Sequence, residues 1–251
     1  MKHRFRYIVH GVAPDDVITL SDEDAHHLVR VVRRGVGDPL EILDKNGRVW
    51  DATVTETSPF VRVRVGPAPR RALRRPDLEL AVGLAEWGRL DLVVEKATEI
   101  GVRRIVIVRT ERAGRIPDAA AFAKRRERMD RVAEAALRQS GHSLAPVVDG
   151  IVDLAAVLTA EDDRRVIVVD PRGSSSLGDL CRSAGGGPLR LVVGPDAGFS
   201  EREIASAVAA GCGIARLGEG ILRAETAALM SAAIAADALS WGLTGDDGAS
   251  G

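Results

Sequence analysis

Short apolar runs alternate with helix-spaced segments over the second two thirds of the chain. The runs are LELAVGLAE, RRIVIV, RRVIVVD, LRLVV and GIARL, and runs of this kind are typical of parallel strands buried on both faces. Helices are predicted over WGRLDLVVEKATEIG, FAKRRERMDRVAEAALRQSG, SEREIASAVAAG and ILRAETAALMSAAIAADAL. The alternation predicts an α/β domain built around a parallel sheet.

Two segments of this domain carry glycine loops between a strand and a helix. GPDAGF follows LRLVV, and Ser200 with Glu203 then forms a capping box, so a helix should begin there and end at Gly211. Gly218-Glu219-Gly220 follows GIARL in the same way. Loops at the carboxyl ends of parallel strands are where open α/β sheets bind ligands. The sequence therefore predicts a pocket at one sheet edge, lined mostly by main chain.

The first 72 residues have a different pattern of short strands separated by turns: RYIV, VITL, PLEIL, RVWDATVTE and FVRVRV. Asn46-Gly47 predicts a tight hairpin, and Ser21 with Asp24 predicts the start of one helix over DEDAHHLVRVVR. A small β-barrel with one helix is expected. PAPRRALRRPD is interpreted as a linker, which gives domains over 1–72 and 73–244 and a disordered tail over 245–251.

The last predicted helix is rich in Ala and Ser. Leu222, Leu229, Ala233 and Ala236 are expected on one face, and small residues let a second helix approach closely. A helix with so little bulk gains stability by packing against a partner, so a homodimer is expected.

Composition places the chain among ordinary globular proteins, with 251 residues, 45% hydrophobic and 28% charged content and a net charge of −1. No run reaches the length of a membrane span and the start lacks a signal-peptide core, so a cytoplasmic protein without a membrane partner is expected. Cys181 and Cys212 have no metal-ligand spacing and are interpreted as reduced thiols.

Basic residues are concentrated in two segments. Residues 103–131 hold 10 Lys and Arg against 4 Asp and Glu, and basic residues also outnumber acidic ones in residues 1–76. Such clustering is typical of a phosphate-binding face. The alternative is a compositional bias toward Arg, since Lys occurs only at positions 2, 45, 96 and 124.

VGPDAGFSEREI and LGEGILRAETAAL resemble the two signature segments of the SPOUT methyltransferases, and specifically of the RsmE family of ribosomal small-subunit RNA uridine-N3 methyltransferases. The family pattern reads Gly-Pro-Glu-Gly-Gly-Phe in the first segment, where this chain has Asp196 and Ala197. HHLVRVVRRGVGDPLEILDKNGR resembles the PUA-like domain at the start of RsmE proteins. The resemblance implies a SPOUT-type parallel sheet with a C-terminal trefoil knot, after a PUA-like barrel.

The resemblance also implies S-adenosylmethionine as cofactor, 16S rRNA or the small ribosomal subunit as partner, and a homodimer. Arg223 is the candidate for binding the uracil oxygen or a flanking phosphate, and Glu225 for a base or orienting group. The alternative for Glu225 is stabilisation of the helix N-terminus. The residues expected to bind the cofactor are Val193, Gly194, Pro195, Gly198, Leu217, Gly218, Ile221, Leu222 and Arg223.

Candidate RNA contacts come from both segments of high basic content. His26 and His27 point about 100° apart on a helix, so no metal site is expected. His142 stands where the family usually has Arg, which weakens any RNA contact at that position. For each candidate considered alone, the alternative to an RNA contact is a charged or polar side chain that is simply exposed to water. The candidates are Arg4, Arg6, His26, Arg30, Arg33, Arg112 and Gln139.

Three classes of function remain open. An RNA methyltransferase of the RsmE type accounts for the paired loops, the basic segments and the barrel together. A SPOUT enzyme acting on another RNA nucleotide, or a catalytically silent RNA-binding dimer, is the alternative. Other α/β enzymes are disfavoured, since the chain has no G-x-S-x-G and no P-loop.

Overall fold

The computed structural model describes residues 6–9, 11–44, 46–70, 75–83 and 86–239. The chain divides into two compact units, the first formed by residues 1–73 with 137–144 and the second by 74–136 with 145–251. Arg4, the middle of the expected linker at 71–74 and the expected tail at 245–251 lie outside the described residues.

The first unit is a five-stranded sheet with the strand order β1-β3-β4-β5-β2. β1 runs parallel to β3, and the other neighbours are antiparallel. Tyr7, Leu28, Ile42, Trp50 and Val63 belong to its core. All five strands expected from the sequence are present: β1 (Arg6–Val9), β2 (Val17–Thr19), β3 (Pro39–Asp44), β4 (Val49–Glu56) and β5 (Arg62–Arg70).

The helix of this unit begins as expected but ends early. The hydroxyl of Ser21 accepts a hydrogen bond from the Asp24 N–H (3.2 Å) at the start of α1 (Asp22–His26). The helix then widens to a π-helical stretch over His27–Val31. The expectation that Arg33 extends the helix is wrong, because Arg33 adopts a φ of 57°, in the left-handed region where a right-handed helix cannot continue.

The expected linker is partly strand. β5 continues through the two prolines of PAPR, and Pro69 is opposite Trp50 of β4. A proline is tolerated there because the backbone hydrogen bonds between β5 and the segment that leads into β2 end at Val65 and Gly66, before the first proline.

The second unit is a seven-stranded sheet in the order β10-β12-β9-β11-β6-β7-β8, and all of its neighbouring strands are parallel. β8 and β10 are additional to the five strands expected from the apolar runs. The strands are β6 (Leu78–Gly83), β7 (Arg104–Arg109), β8 (Val147–Asp153), β9 (Arg165–Val169), β10 (Ser175–Ser176), β11 (Leu189–Val193) and β12 (Gly213–Arg216).

Helices cover both faces of this sheet. One face packs against α2, α3, α5 and α7, and the other against α4 and α6. Successive strand residues such as Leu80 and Ala81 belong to the two different cores, as the alternation of side chains along a strand requires. The helices are α2 (Trp87–Ile100), α3 (Ala119–Ser140), α4 (Leu154–Leu158), α5 (Leu177–Arg182), α6 (Glu201–Ala209) and α7 (Ala224–Ala238).

The local signals at helix ends are confirmed in two places and corrected in two others. Ser200 and Glu203 form the full capping box of α6, and Gly101 ends α2 with a φ of 91°. Ser176 ends β10 and caps α5, a helix that is not among those predicted from the sequence. Leu222 is not on the last helix, which begins only at Ala224.

The expected stripe on α7 is only partly correct, because Ala236 is buried but most of the inward-facing small side chains lie beside the stripe. Ala224, Ala228, Ala232 and Ala235 are buried, whereas Ala233 is exposed. α7 packs against α2 and α5, and the absence of bulk on its inner face allows that close approach.

Candidate functional site

The two glycine loops meet at the carboxyl ends of β9, β11 and β12, as the sequence predicts. Together with the start of α7 they surround one pocket. Small residues and backbone dominate its wall, which suits a ligand recognised by main-chain N–H and C=O groups. The lining residues are Val169, Asp170, Pro171, Val193, Gly194, Pro195, Asp196, Gly198, Phe199, Leu217, Gly218, Gly220, Ile221, Leu222, Ala224 and Ala227.

The first loop is held against the end of β6 by a close backbone approach. A Cβ atom at Gly83 would lie 2.5 Å from the backbone N of Pro195, so only glycine fits at that position. The loop then turns at Gly198, which has a φ of 65° and donates its N–H to the Pro195 carbonyl (2.7 Å). Arg112, a predicted RNA contact, donates to the Ala197 carbonyl (3.0 Å) and so holds the tip of the loop.

An ion pair between a buried carboxylate and a half-exposed guanidinium joins the loop after β9 to the loop after β11. The Arg172 guanidinium donates two hydrogen bonds to the Asp170 carboxylate (2.7 and 2.8 Å) and one to the Phe199 carbonyl (3.0 Å). Burial opposes the ionisation of Asp170, but the hydrogen bonds from the Arg172 side chain and backbone outweigh it and lower the pKa. Asp170 is therefore a fixed negative charge in the pocket wall.

Asp196 joins the first loop to α7. One carboxylate oxygen accepts from the Ala224 N–H (3.2 Å), which satisfies a free donor at the helix N-terminus. The other oxygen pairs with Arg89 of α2 at 2.6 Å. The same guanidinium lies 3.5 Å from the carboxylate of Glu225, so one cation bridges both acidic side chains.

Eight of the nine predicted cofactor residues line the pocket, and Arg223 does not. Arg223 is the exposed N-cap residue of α7, beside the pocket wall formed by Ala224. Glu225 faces Arg89 and is mostly buried, with 13% of its side chain exposed. Asp170 and Ala227 are among the lining residues that were not predicted, although Asp170 ends the run RRVIVVD and its position at a strand end was a usable signal.

The predicted RNA residues of the first unit differ in their surroundings. The Arg6 side chain is 9% exposed, pairs with Glu41 (2.8 Å) and donates to the His142 carbonyl (2.6 Å), so it does not lie on an exposed face. His142 is itself 1% exposed. The remaining candidates, His26, Arg30, Arg33 and Gln139, are exposed.

A basic surface on α3 was not among the predicted contacts. Met129 and Ala133 anchor one side of this helix in the core, and the cations are on the rest of its surface. Arg128 pairs with Asp91 (2.6 Å), and Arg125 lies 5.5 Å over the ring of Trp87. The run KRRERMDR was the signal for this surface. Its exposed cations are Lys124, Arg125, Arg126, Arg128 and Arg131.

In the described ranges, no three His, Cys, Asp or Glu side chains come together as a group that could hold a metal ion. None of the helices in those ranges has the length and apolar character needed to cross a membrane.

Comparison with known proteins identifies the two parts of the chain. Residues 73–236 match the model of the RNA methyltransferase domain, and residues 20–65 match that of the RNA methyltransferase PUA domain. The chain is 27% identical over 227 residues to the ribosomal RNA small subunit methyltransferase E of Mycobacterium bovis, covering 86% of this chain and 84% of that protein. The protein of the same name from Bacillus subtilis is 26% identical over 221 residues, covering 84% and 86%.

Solved structures agree with these matches. A ribosomal RNA small subunit methyltransferase E from Neisseria gonorrhoeae, bound to S-adenosyl methionine, superimposes with a TM-score of 0.79 at 25% identity, covering 95% of this chain and 98% of the other. The domain model alone spans well over half of the sequence. The chain therefore belongs to the RNA methyltransferase domain family, and its domain of that family follows an RNA methyltransferase PUA domain.

Proposed function

We propose that this protein transfers the methyl group of S-adenosylmethionine to N3 of a uridine in the 16S rRNA of the small ribosomal subunit. The observation that carries the proposal is the main-chain pocket built from GPDAGF and LGEGILRAETA at one sheet edge. The names of the relatives and the cofactor bound in the Neisseria protein support it.

The residues of the pocket fit this cofactor. Backbone N–H and C=O groups of the two loops can meet the polar edge of an adenine, while Val193, Leu217 and Ala227 offer apolar contact to its faces. S-adenosylmethionine supplies a methyl group that is already activated on a sulfonium, so the protein needs to bind and align its two substrates. Asp170 and Asp196 place carboxylates in the wall of the pocket.

The exposed end of α7 is the proposed side for the nucleotide. Arg223 stands at the N-cap, where its guanidinium can stabilise negative charge on the uracil oxygen or bind a flanking phosphate. Glu225 is paired with Arg89, which favours an orienting role for this carboxylate over that of a free base. Uridine N3 carries a proton and takes part in base pairing, so the target must be unpaired and lose that proton.

RNA binding is proposed for exposed surfaces of each unit. In the first unit His26, Arg30, Arg33 and Gln139 are exposed, and in the second the cations of α3 are exposed. Several phosphates bound by these side chains would make RNA affinity fall steeply with salt. The ribosomal substrate also favours a cytoplasmic location.

A homodimer and a trefoil knot belong to the same proposal. The outward face of α7 carries Met230, which is 41% exposed, and the exposed Ala233, and a second copy could cover both. Two-fold contact there would exclude water from a pocket whose wall includes the start of α7. The knot is favoured by the SPOUT signature segments.

Primer extension on rRNA tests the site of modification. A methyl group on N3 blocks Watson–Crick pairing, so reverse transcriptase should stop at one position of 16S rRNA from the wild-type strain. The stop should vanish in a strain lacking the gene and return on complementation. If the protein is a SPOUT enzyme that acts on another nucleotide, the rRNA of the strain lacking the gene would lose a different modification and keep this stop.

A further inference from the structure

The first unit has a groove that contains His26 and Arg30, two of the proposed RNA contacts, beside apolar and aromatic residues that have no assigned role. It runs between the helix that starts at Asp22 and the segment joining β4 to β5, and it has an apolar floor of Leu20, Ala25, Val29 and Val61. The rim is polar and aromatic. It is formed by Asp22, His26, Arg30, Thr57, Pro59 and Phe60.

Phe60 is unusual in its exposure. Its side chain is 56% exposed, whereas Tyr7, Trp50 and Phe199 are each 2% exposed. Trp87 and Phe122 are partly covered, so Phe60 is the exposed aromatic residue among those that the structure describes. An aromatic ring left in water loses the stabilisation that burial would give it, unless a ligand covers it.

The charged groups of the rim suit a nucleotide. Among the described residues Arg30 has no ion-pair partner, and it lines the groove together with His26, four residues earlier. A guanidinium beside an exposed ring can bind the phosphate of a nucleotide whose base stacks on that ring. Asp22, the acidic side chain of the rim, can accept a hydrogen bond from an exocyclic amino group of the base.

We propose that this groove binds one unpaired base of single-stranded RNA, stacked on Phe60, with its phosphate held by Arg30. The proposal rests on the proposed function and adds a base-binding subsite to it. Duplex RNA does not fit the site, because its bases are stacked within the helix and cannot reach a side chain on the protein surface.

Fluorescence titration of the full-length protein tests the subsite. The probe is a single-stranded oligoadenylate with 2-aminopurine at its centre, whose emission is quenched on stacking. Phe60→Leu keeps apolar bulk but removes the ring, and should weaken binding about tenfold, which corresponds to ~1.4 kcal/mol. Phe60→Trp should restore affinity and quenching. Val36→Ala, at a residue 66% exposed and outside the groove, is the matched control and should bind like wild type.

Two further measurements separate base stacking from charge. Arg30→Gln should lower the slope of log affinity against log salt by about one, whereas Phe60→Leu should leave that slope unchanged. Affinity for duplex RNA should be the same in wild type and Phe60→Leu. Equal affinity of Phe60→Leu and wild type for the oligoadenylate would overturn the proposal. So would a defect seen only with intact small subunits, because the groove would then bind a protein.

Failure of the subsite can be distinguished from failure of the proposed function. Methyl transfer to rRNA by wild type, combined with no effect of Phe60→Leu on RNA binding, would overturn the subsite alone. The opposite result is also possible: Phe60→Leu binds oligoadenylate more weakly than wild type, but the wild type neither binds S-adenosylmethionine nor transfers methyl groups. That result would support the subsite and contradict the methyltransferase proposal.

Discussion

Asp196 contacts both the N-terminus of α7 and Arg89 of α2, so a single side chain links the first pocket loop to two helices. The family pattern has Glu at this position, and Asp keeps the carboxylate. Asp196→Ala should remove the cap and lower stability by about 1 kcal/mol, the usual effect of losing an N-cap acceptor. Asp196→Asn keeps an acceptor oxygen and should lose less. Thermal unfolding of the three proteins measures this order, and equal melting temperatures would contradict the capping role.

The ion pair of Asp170 with Arg172 predicts a dependence of stability on pH. The pKa of Asp170 is lowered in the folded protein, so its contribution is present above the unfolded pKa of about 3.9 and is lost as pH falls through the folded pKa. Arg172→Gln leaves the carboxylate buried without its cation and should cost about 2 kcal/mol at pH 7.

Urea unfolding at pH 7 and at pH 3 checks this prediction. The difference between wild type and Arg172→Gln should be largest at pH 7 and shrink at pH 3, where Asp170 of the variant is protonated. Arg182→Gln is the control, because Arg182 pairs with Asp179 on the surface and both side chains are largely exposed. The same loss of stability in both variants would argue against a special role for the pair formed by the buried Asp170 carboxylate.

Ala227 offers a direct test of the pocket. It lies in the wall on α7, and Ala227→Leu adds bulk without disturbing helix geometry. Calorimetry should show affinity for S-adenosylmethionine reduced at least tenfold, because the larger side chain occupies part of the cofactor's space. Ala205→Leu on the exposed side of α6 is the matched control and should bind normally. Wild-type affinity in Ala227→Leu would place the cofactor elsewhere.

At the level of elements, short sequence motifs predicted those helix ends that depend on contacts between neighbouring residues. Ser200 with Glu203 and Gly101 marked helix ends correctly, because capping hydrogen bonds and left-handed glycine act over a few residues. The start of α7 was missed because its N-terminus is capped by Asp196, 28 positions earlier in the chain. No local pattern carries that contact.

Arg190 in the sheet is a second residue whose contacts with distant parts of the chain could not be predicted from the local pattern. The run LRLVV predicted a buried strand, and β11 is buried along its whole length, including Arg190 at 4% exposure. The guanidinium is tolerated because it pairs with Glu79 of β6 (2.5 Å) and with Asp162 (2.6 Å). The partners come from distant parts of the chain, so the pattern gave the strand but not its ion pairs.

The exposed side of α7 predicts the oligomeric state. Ala233 is exposed, so Ala233→Arg should leave each subunit folded while it places a charge in the proposed two-fold contact. Sedimentation should show a dimer for wild type and a monomer for Ala233→Arg, and the monomer should lose methyl transfer. Ala205→Arg on α6 should remain dimeric. A wild type that is monomeric and fully active at assay concentration would rule out the dimer.

For the whole molecule, the sequence predicted the two kinds of sheet and the meeting of the two glycine loops. The candidate site was predicted in its backbone part, because strand ends and glycine loops follow from pattern. The side-chain contacts of the site could not be predicted from the sequence. Asp170, Arg172 and Arg89 join loops and helices that are far apart along the chain. The pairing of Arg6 with Glu41, 35 positions away, could not be read from the sequence either.

The central claim is that this pocket and these surfaces together methylate a uridine of small-subunit rRNA at N3. The most direct measurement incubates the purified protein with S-adenosylmethionine labelled in its methyl group and with small subunits from a strain lacking the gene. Digestion of the rRNA to nucleosides should give label in 3-methyluridine with wild type and far less with Ala227→Leu. Label in another nucleoside, or equal yields from wild type and Ala227→Leu, would contradict the account.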